Sequence, residues 1–98
     1  LARQETLPRT AAFSSALRAA IEEAQVPLNS RAERAADFSV LKAADIPSVL
    51  IEIGYLSSER DRKNLADPDF MARVADAIHA AILAWQRADD ALRPLIRQ

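Results

Sequence analysis

The sequence predicts an α/β fold, and three observations carry that expectation. A β-branched run, Ser48-Val49-Leu50-Ile51-Glu52-Ile53, is too short for a helix and too apolar for a surface strand. Helical periodicity precedes it, with apolar residues at Phe13, Leu17, Ala20, Ile21 and Ala24. A long amphipathic stretch follows Asp67, with an apolar face broad enough to lie against a sheet.

The first helix is expected from Thr10 to Ala24, with Ser14, Arg18, Glu22 and Glu23 facing away from its apolar stripe. It stops before Pro27, and the polar residues Asn29, Ser30, Arg31, Glu33 and Arg34 make a connection. Between Ala36 and Leu41, Phe38 and Val40 share one face of an alternating pattern, which fits a short strand, and a helical turn nearly as well. Pro47 introduces the run 48–53, which reads as a central strand. Gly54 is the only glycine, and a positive φ there would turn the chain sharply off a sheet. Residues 57–65 suit a short helix capped by Ser57 or Ser58.

Asp67-Pro68-Asp69 opens the clearest element, since Asp67 can cap, Pro68 fits the first helical position and Asp69 complements the positive helix end. Phe70, Val74, Ile78, Ile82 and Trp85 mark its apolar stripe, widened by Met71, Ala75 and Ala81. The helix is expected to end near Arg87, leaving residues 88–98 as a tail in which Pro94 breaks any continuing helix. There is no internal repeat and no low-complexity segment.

Composition narrows the function classes. Thirteen basic and fourteen acidic side chains leave a net charge of −1, which is not the basic stripe that a phosphate backbone requires, so nucleic acid is not an expected partner. Without cysteine there is neither a disulfide nor a thiolate metal site. The apolar runs fall far short of the roughly 20 residues needed for a membrane span. The chain starts at Leu1 in the polar stretch Ala2-Arg3-Gln4-Glu5-Thr6, which reads as a fragment or a processed product.

Glu52 is the residue that breaks its surroundings' rule, because a carboxylate inside a buried strand is costly unless paired, protonated or near solvent. Two readings stay open: an ion pair with Arg31, Arg34 or Arg60, or a functional carboxylate at the carboxyl end of a strand, where open α/β sheets place their ligands. His79, the one histidine, has Asp76 three residues before it, which falls short of the three or four ligands that zinc takes, so it reads as a surface residue. Ser14 and Ser15 have no histidine at helical spacing to act as a base. The run Arg60-Asp61-Arg62-Lys63 could line a cleft, but such a run is more often a solvated face, which is the reading favoured by composition. Tyr55 is either a lid over a cleft beside Glu52 or a lip of the core.

Two segments carry a resemblance to a known family: Arg34-Ala35-Ala36-Asp37-Phe38-Ser39-Val40-Leu41-Lys42 and Ile46-Pro47-Ser48-Val49-Leu50-Ile51-Glu52-Ile53-Gly54-Tyr55-Leu56-Ser57. Together they resemble the zinc-dependent N-acetylmuramoyl-L-alanine amidases, in which the second segment is a strand ending in the catalytic glutamate before a Gly-aromatic-Leu/Ile-Ser turn. Weaker similarity extends upstream to Leu1 through Thr6 and the first helix, and downstream from Leu65 to Trp85. The resemblance implies an α/β fold with a mostly parallel sheet flanked by helices, of which this chain supplies the C-terminal strands and helices. Residues 1–87 would then be the C-terminal part of the catalytic domain and 88–98 a tail.

Residue by residue, only Glu52 carries over, as the general acid/base. The implied zinc ligands, two histidines and a glutamate, belong to an upstream part of the domain, so no residue of this chain is expected to bind the metal and the chain alone is expected to be inactive. Where the family commonly has Ser-Asn, this chain has Ser57-Ser58. The implied substrate is peptidoglycan, in the periplasm or cell envelope, with the upstream part of the domain and an activator protein as further partners. The alternative is a non-catalytic, amidase-derived module that binds or regulates. On its own the chain would expose part of its sheet and is expected to associate.

Overall fold

The computed structural model describes residues 2–26 and 46–96, which form three helices: α1 (Ala2–Glu23), α2 (Glu59–Leu65) and α3 (Pro68–Ile96). Among the described residues there is no strand, so the expected α/β fold with a parallel sheet is overturned: what is observed is a helical hairpin with an irregular segment laid against one end. The physical reason lies in what a strand requires. β-Branched residues disfavour helix at 48–53, but a strand exists only when a neighbour about 4.8 Å away satisfies its N–H and C=O groups. Residues 46–55 run instead as irregular backbone and a bend. The other expected strand, 36–41, lies outside the described residues.

α1 and α3 pack antiparallel. Arg9 near the start of α1 meets Trp85 and Asp89 late in α3, whereas Ile21 near the end of α1 lies with Phe70 and Val74 at the start of α3. Among the described residues, the buried apolar ones are Leu17 from α1 and Phe70, Val74, Ala77 and Ala81 from α3. The α3 spacing of four, three and four residues is one helical stripe, and its two alanines let the helices approach closely. This face is narrower than the one expected to cover a sheet: Ile82 is 41% exposed and Ala75 is exposed as well. The body measures 50 × 27 × 20 Å, and α3, at about 1.5 Å per residue, accounts for most of its long axis.

A polar clasp closes the far end of the hairpin. Arg9 donates from Nε to Asp89 Oδ1 at 2.6 Å and from Nη2 to Asp89 Oδ2 at 2.8 Å, with the Asp89 side chain only 5% exposed. Trp85 Nε1 donates to the Arg9 carbonyl oxygen at 3.0 Å, and the Trp85 and Phe13 rings lie 5.2 Å apart at 35°. The hydrogen bond to Asp89, followed by its charge, raises the Arg9 pKa above its ordinary value against the opposing effect of desolvation. With Asp89 ionised, a cation whose folded pKa is raised contributes its full stabilisation below its unfolded value and loses it as the pH rises through the folded one, so the contribution is constant through neutral pH and falls away in strong alkali.

Both helices run past their expected ends. α1 begins at Ala2 and carries Pro8 inside it, and α3 continues beyond Arg87 through Pro94 to Ile96. The extra turns bring Arg9, Trp85 and Asp89 into register, and Pro94 sits in the last turn, where it withdraws a single helical hydrogen bond. At its other end α1 closes as a Schellman motif: Gln25 takes φ 60°, Gln25 N–H donates to Glu22 O at 3.0 Å and Val26 N–H to Ile21 O at 3.2 Å. This places Val26 beside Ile21, at the edge of the depression described below.

The energetic contrast between two arginine pairs gives a direct test. Arg18 and Glu22 pair at 3.1 Å on the surface of α1, both at least half exposed, and such pairs contribute about 0.5 kcal/mol at most. A bidentate pair with its carboxylate buried contributes more, about 2 kcal/mol. Asp89→Ala is therefore expected to lower the melting temperature, followed by circular dichroism, by roughly 10 °C. Glu22→Ala should leave it almost unchanged.

Candidate functional site

The irregular segment meets the hairpin at its α1 C-terminal end. Ile51, Glu52 and Ile53, Ile21 and Val26 from the end of α1, Arg60, Asp61 and Asn64 from α2, and Phe70 and Val74 from α3 line an open depression of about 70 Å³. That holds roughly two waters, at about 30 Å³ each. Pockets that enclose a small molecule run to several hundred Å³, roughly 300–1,000. The described residues therefore form a shallow surface depression and not an enclosed pocket.

Glu52 stands at the lip of this depression and is exposed. The expectation of a carboxylate buried in a strand is corrected: Glu52 is exposed to solvent, so it needs no arginine to offset burial. Its hydrogen bond comes from the Tyr55 hydroxyl, which donates to Glu52 Oε2 at 2.7 Å. Arg60 lines the same depression, but its Nε lies 3.6 Å from Asp61 Oδ1. Arg31 and Arg34 lie outside the described residues. Tyr55, 46% exposed, is neither a lip of the core nor a closed lid; it touches the glutamate directly.

Asp61 holds the turn that carries Glu52 and Tyr55. Its Oδ2 accepts from the Tyr55 backbone N–H at 3.0 Å, and Ser58 N–H donates to the Tyr55 carbonyl at 3.0 Å. Ser58 caps α2, its Oγ accepting from Asp61 N–H at 3.2 Å. This resembles a capping box, except that the acidic residue three positions after the cap reaches back to the turn instead of to the cap's own N–H.

At Gly54 it is space that is tight, and the φ is not positive, contrary to expectation. A Cβ there would sit 3.2 Å from Asp61 Cβ and 3.3 Å from Leu65 Cδ1, so glycine lets the turn lie directly on α2. Asp61 belongs to the charge run for which a solvated face is the favoured expectation, yet it lines the depression and holds the turn. The signal that finds it is the spacing Ser58-x-x-Asp61.

The other candidates stay apart from this site. His79 is exposed on α3, and Ser14 and Ser15 lie on α1. Among the described residues no three His, Asp or Glu side chains come close enough together to hold a metal ion, and no helix is long and apolar enough to cross a membrane.

Compared with known proteins, residues 1–84 match the family model described as N-acetylmuramoyl-L-alanine amidase. The chain belongs to the N-acetylmuramoyl-L-alanine amidase family. Within it, the chain is 42% identical over 50 residues to N-acetylmuramoyl-L-alanine amidase AmiC of Escherichia coli O6:H1, covering 51% of this chain and 12% of AmiC. It is 38% identical over 50 residues to the probable amidase AmiB of Haemophilus influenzae, covering 51% of the chain and 12% of the relative. It is 37% identical over 65 residues to the probable cell wall amidase LytH of Staphylococcus epidermidis, covering 66% of the chain and 20% of LytH. The chain thus spans a fifth or less of these amidases' lengths. No solved structure matches it.

The Ser58 cap bears on the Ser-Asn that the resemblance implies at positions 57 and 58. Serine and asparagine are equally good N-caps, so a cap needs no amide at this position. Ser58→Asn is accordingly expected to leave the melting temperature unchanged, whereas Ser58→Ala should cost about 1 kcal/mol, seen as a lowered melting temperature.

Proposed function

We propose that this chain supplies the general acid/base of an N-acetylmuramoyl-L-alanine amidase, with Glu52 in that role. The reaction is hydrolysis of the amide between N-acetylmuramic acid and the L-alanine of the peptidoglycan stem peptide. What supports the reading is an exposed, hydrogen-bonded carboxylate at the lip of a depression, in a chain matching the amidase family over residues 1–84.

The chemistry asks little of such a carboxylate beyond position. Ionised, Glu52 takes a proton from the attacking water as its oxygen bonds to the carbonyl carbon. It then returns that proton to the alanine nitrogen as the C–N bond breaks, which leaves the glutamate unchanged. Both transfers need an approach of about 2.6–3.2 Å, which an exposed carboxylate offers to a substrate arriving from solvent.

The zinc that the family resemblance implies finds no ligand set among the described residues. Its ligands would lie in the rest of the catalytic domain. Peptidoglycan as substrate places the protein in the cell envelope or periplasm. Residues 1–87 are proposed as the C-terminal part of the catalytic domain.

In the complete protein, Glu52→Gln preserves size and hydrogen-bonding capacity but cannot carry the proton. It is expected to lower turnover of a muramoyl-peptide substrate by about 10²- to 10⁴-fold, with folding unchanged by circular dichroism. Turnover at the wild-type rate would show that Glu52 is not the acid/base. The isolated 98-residue chain is expected to be inactive on the same substrate.

A further inference from the structure

We infer that Tyr55, anchored by Asp61, is a positioning residue for Glu52, a reading that rests on Glu52 being the acid/base. An exposed glutamate on irregular backbone has many rotamers open to it, and only those that point into the depression serve proton transfer. The Tyr55 hydroxyl selects among them by donating to Oε2 at 2.7 Å, leaving Oε1 to meet the reacting water. A charge-assisted hydrogen bond of this length is one of the stronger kinds available to a carboxylate.

The tyrosine can direct the glutamate only because it is held in turn. Asp61 Oδ2 accepts its backbone N–H at 3.0 Å, and Ser58 N–H donates to its carbonyl at 3.0 Å, so the Tyr55 peptide groups are tied to the first turn of α2. Gly54 permits this by leaving room for Asp61 Cβ and Leu65. Tyr55 is 46% exposed, so core packing does not account for the residue, whereas the hydroxyl contact does. A phenylalanine would preserve the ring and lose the hold on Glu52.

The test uses the complete amidase and separates turnover from binding on a muramoyl-peptide substrate. Tyr55→Phe is expected to lower kcat about tenfold, the scale of one hydrogen bond to a charged group, with KM unchanged. Added to Glu52→Gln, it is expected to cause no further loss, because its effect runs through that carboxylate. Asp61→Ala is expected to follow Tyr55→Phe, and Asp61→Asn, which retains an acceptor oxygen, to restore most of the activity.

Wild-type kcat in Tyr55→Phe while Glu52→Gln is inactive overturns this inference alone, as does a full additional loss in the double variant. Wild-type activity in Glu52→Gln overturns the reading of Glu52 and this one with it.

Discussion

The structure depends on the pairing of Arg9 with Asp89. Two parallel hydrogen bonds at 2.6 and 2.8 Å fix the distance and the rotation of α1 against α3, which apolar contact alone does not specify. Among the described residues the apolar core beneath is small: Leu17, Phe70, Val74, Ala77 and Ala81 are buried, and two of these are alanines. With so little area to distinguish one register from another, a directional contact between residues 80 apart in sequence has a large share in choosing the observed one. Trp85 reinforces the choice by donating to the Arg9 carbonyl and stacking near Phe13.

From that register follows the position of the candidate site at the opposite end of the hairpin. Ile21 and Val26, set by the left-handed Gln25 that closes α1, come alongside Phe70 and Val74 of α3. α2 packs on α3 across the short link Ala66-Asp67, and Asp61 ties the Glu52 turn to α2. The glutamate is thus connected to the helical body through a hydrogen-bonded turn and not through a sheet. Ile46, Leu50 and Leu56 on the same segment remain 59, 54 and 77% exposed, an apolar surface that favours the association expected of the chain alone.

What the sequence made legible were the features governed by local chemistry. The α1 stripe, the Ser58 cap and the Asp67-Pro68 start of α3 follow from periodicity and capping, and Asp67 Oδ1 does accept from Asp69 N–H at 3.0 Å. The strand at 48–53 was misread because β-branched composition reports a backbone preference, whereas a ladder is a property of two segments. The end of α3 was misplaced because Pro94 is a local signal, overridden by the distant partner that Asp89 finds on α1. At the site, Glu52 stands out by its chemistry. Asp61 lies within a charge run, where the spacing Ser58-x-x-Asp61 marks it as the third residue after a cap but does not say that its carboxylate reaches the Tyr55 N–H and not the cap's own.

The central claim is that Glu52 sits on a turn pinned by Asp61 and not in a strand of a sheet, and residue-resolved amide hydrogen exchange of the 98-residue chain tests it most directly. The account predicts a slowly exchanging Tyr55 amide, held by Asp61, beside fast exchange at Val49 to Ile53, with the α1 and α3 amides the most protected. Protection of Val49 to Ile53 equal to that of the helices would mean that these residues are paired in a sheet, and would contradict it.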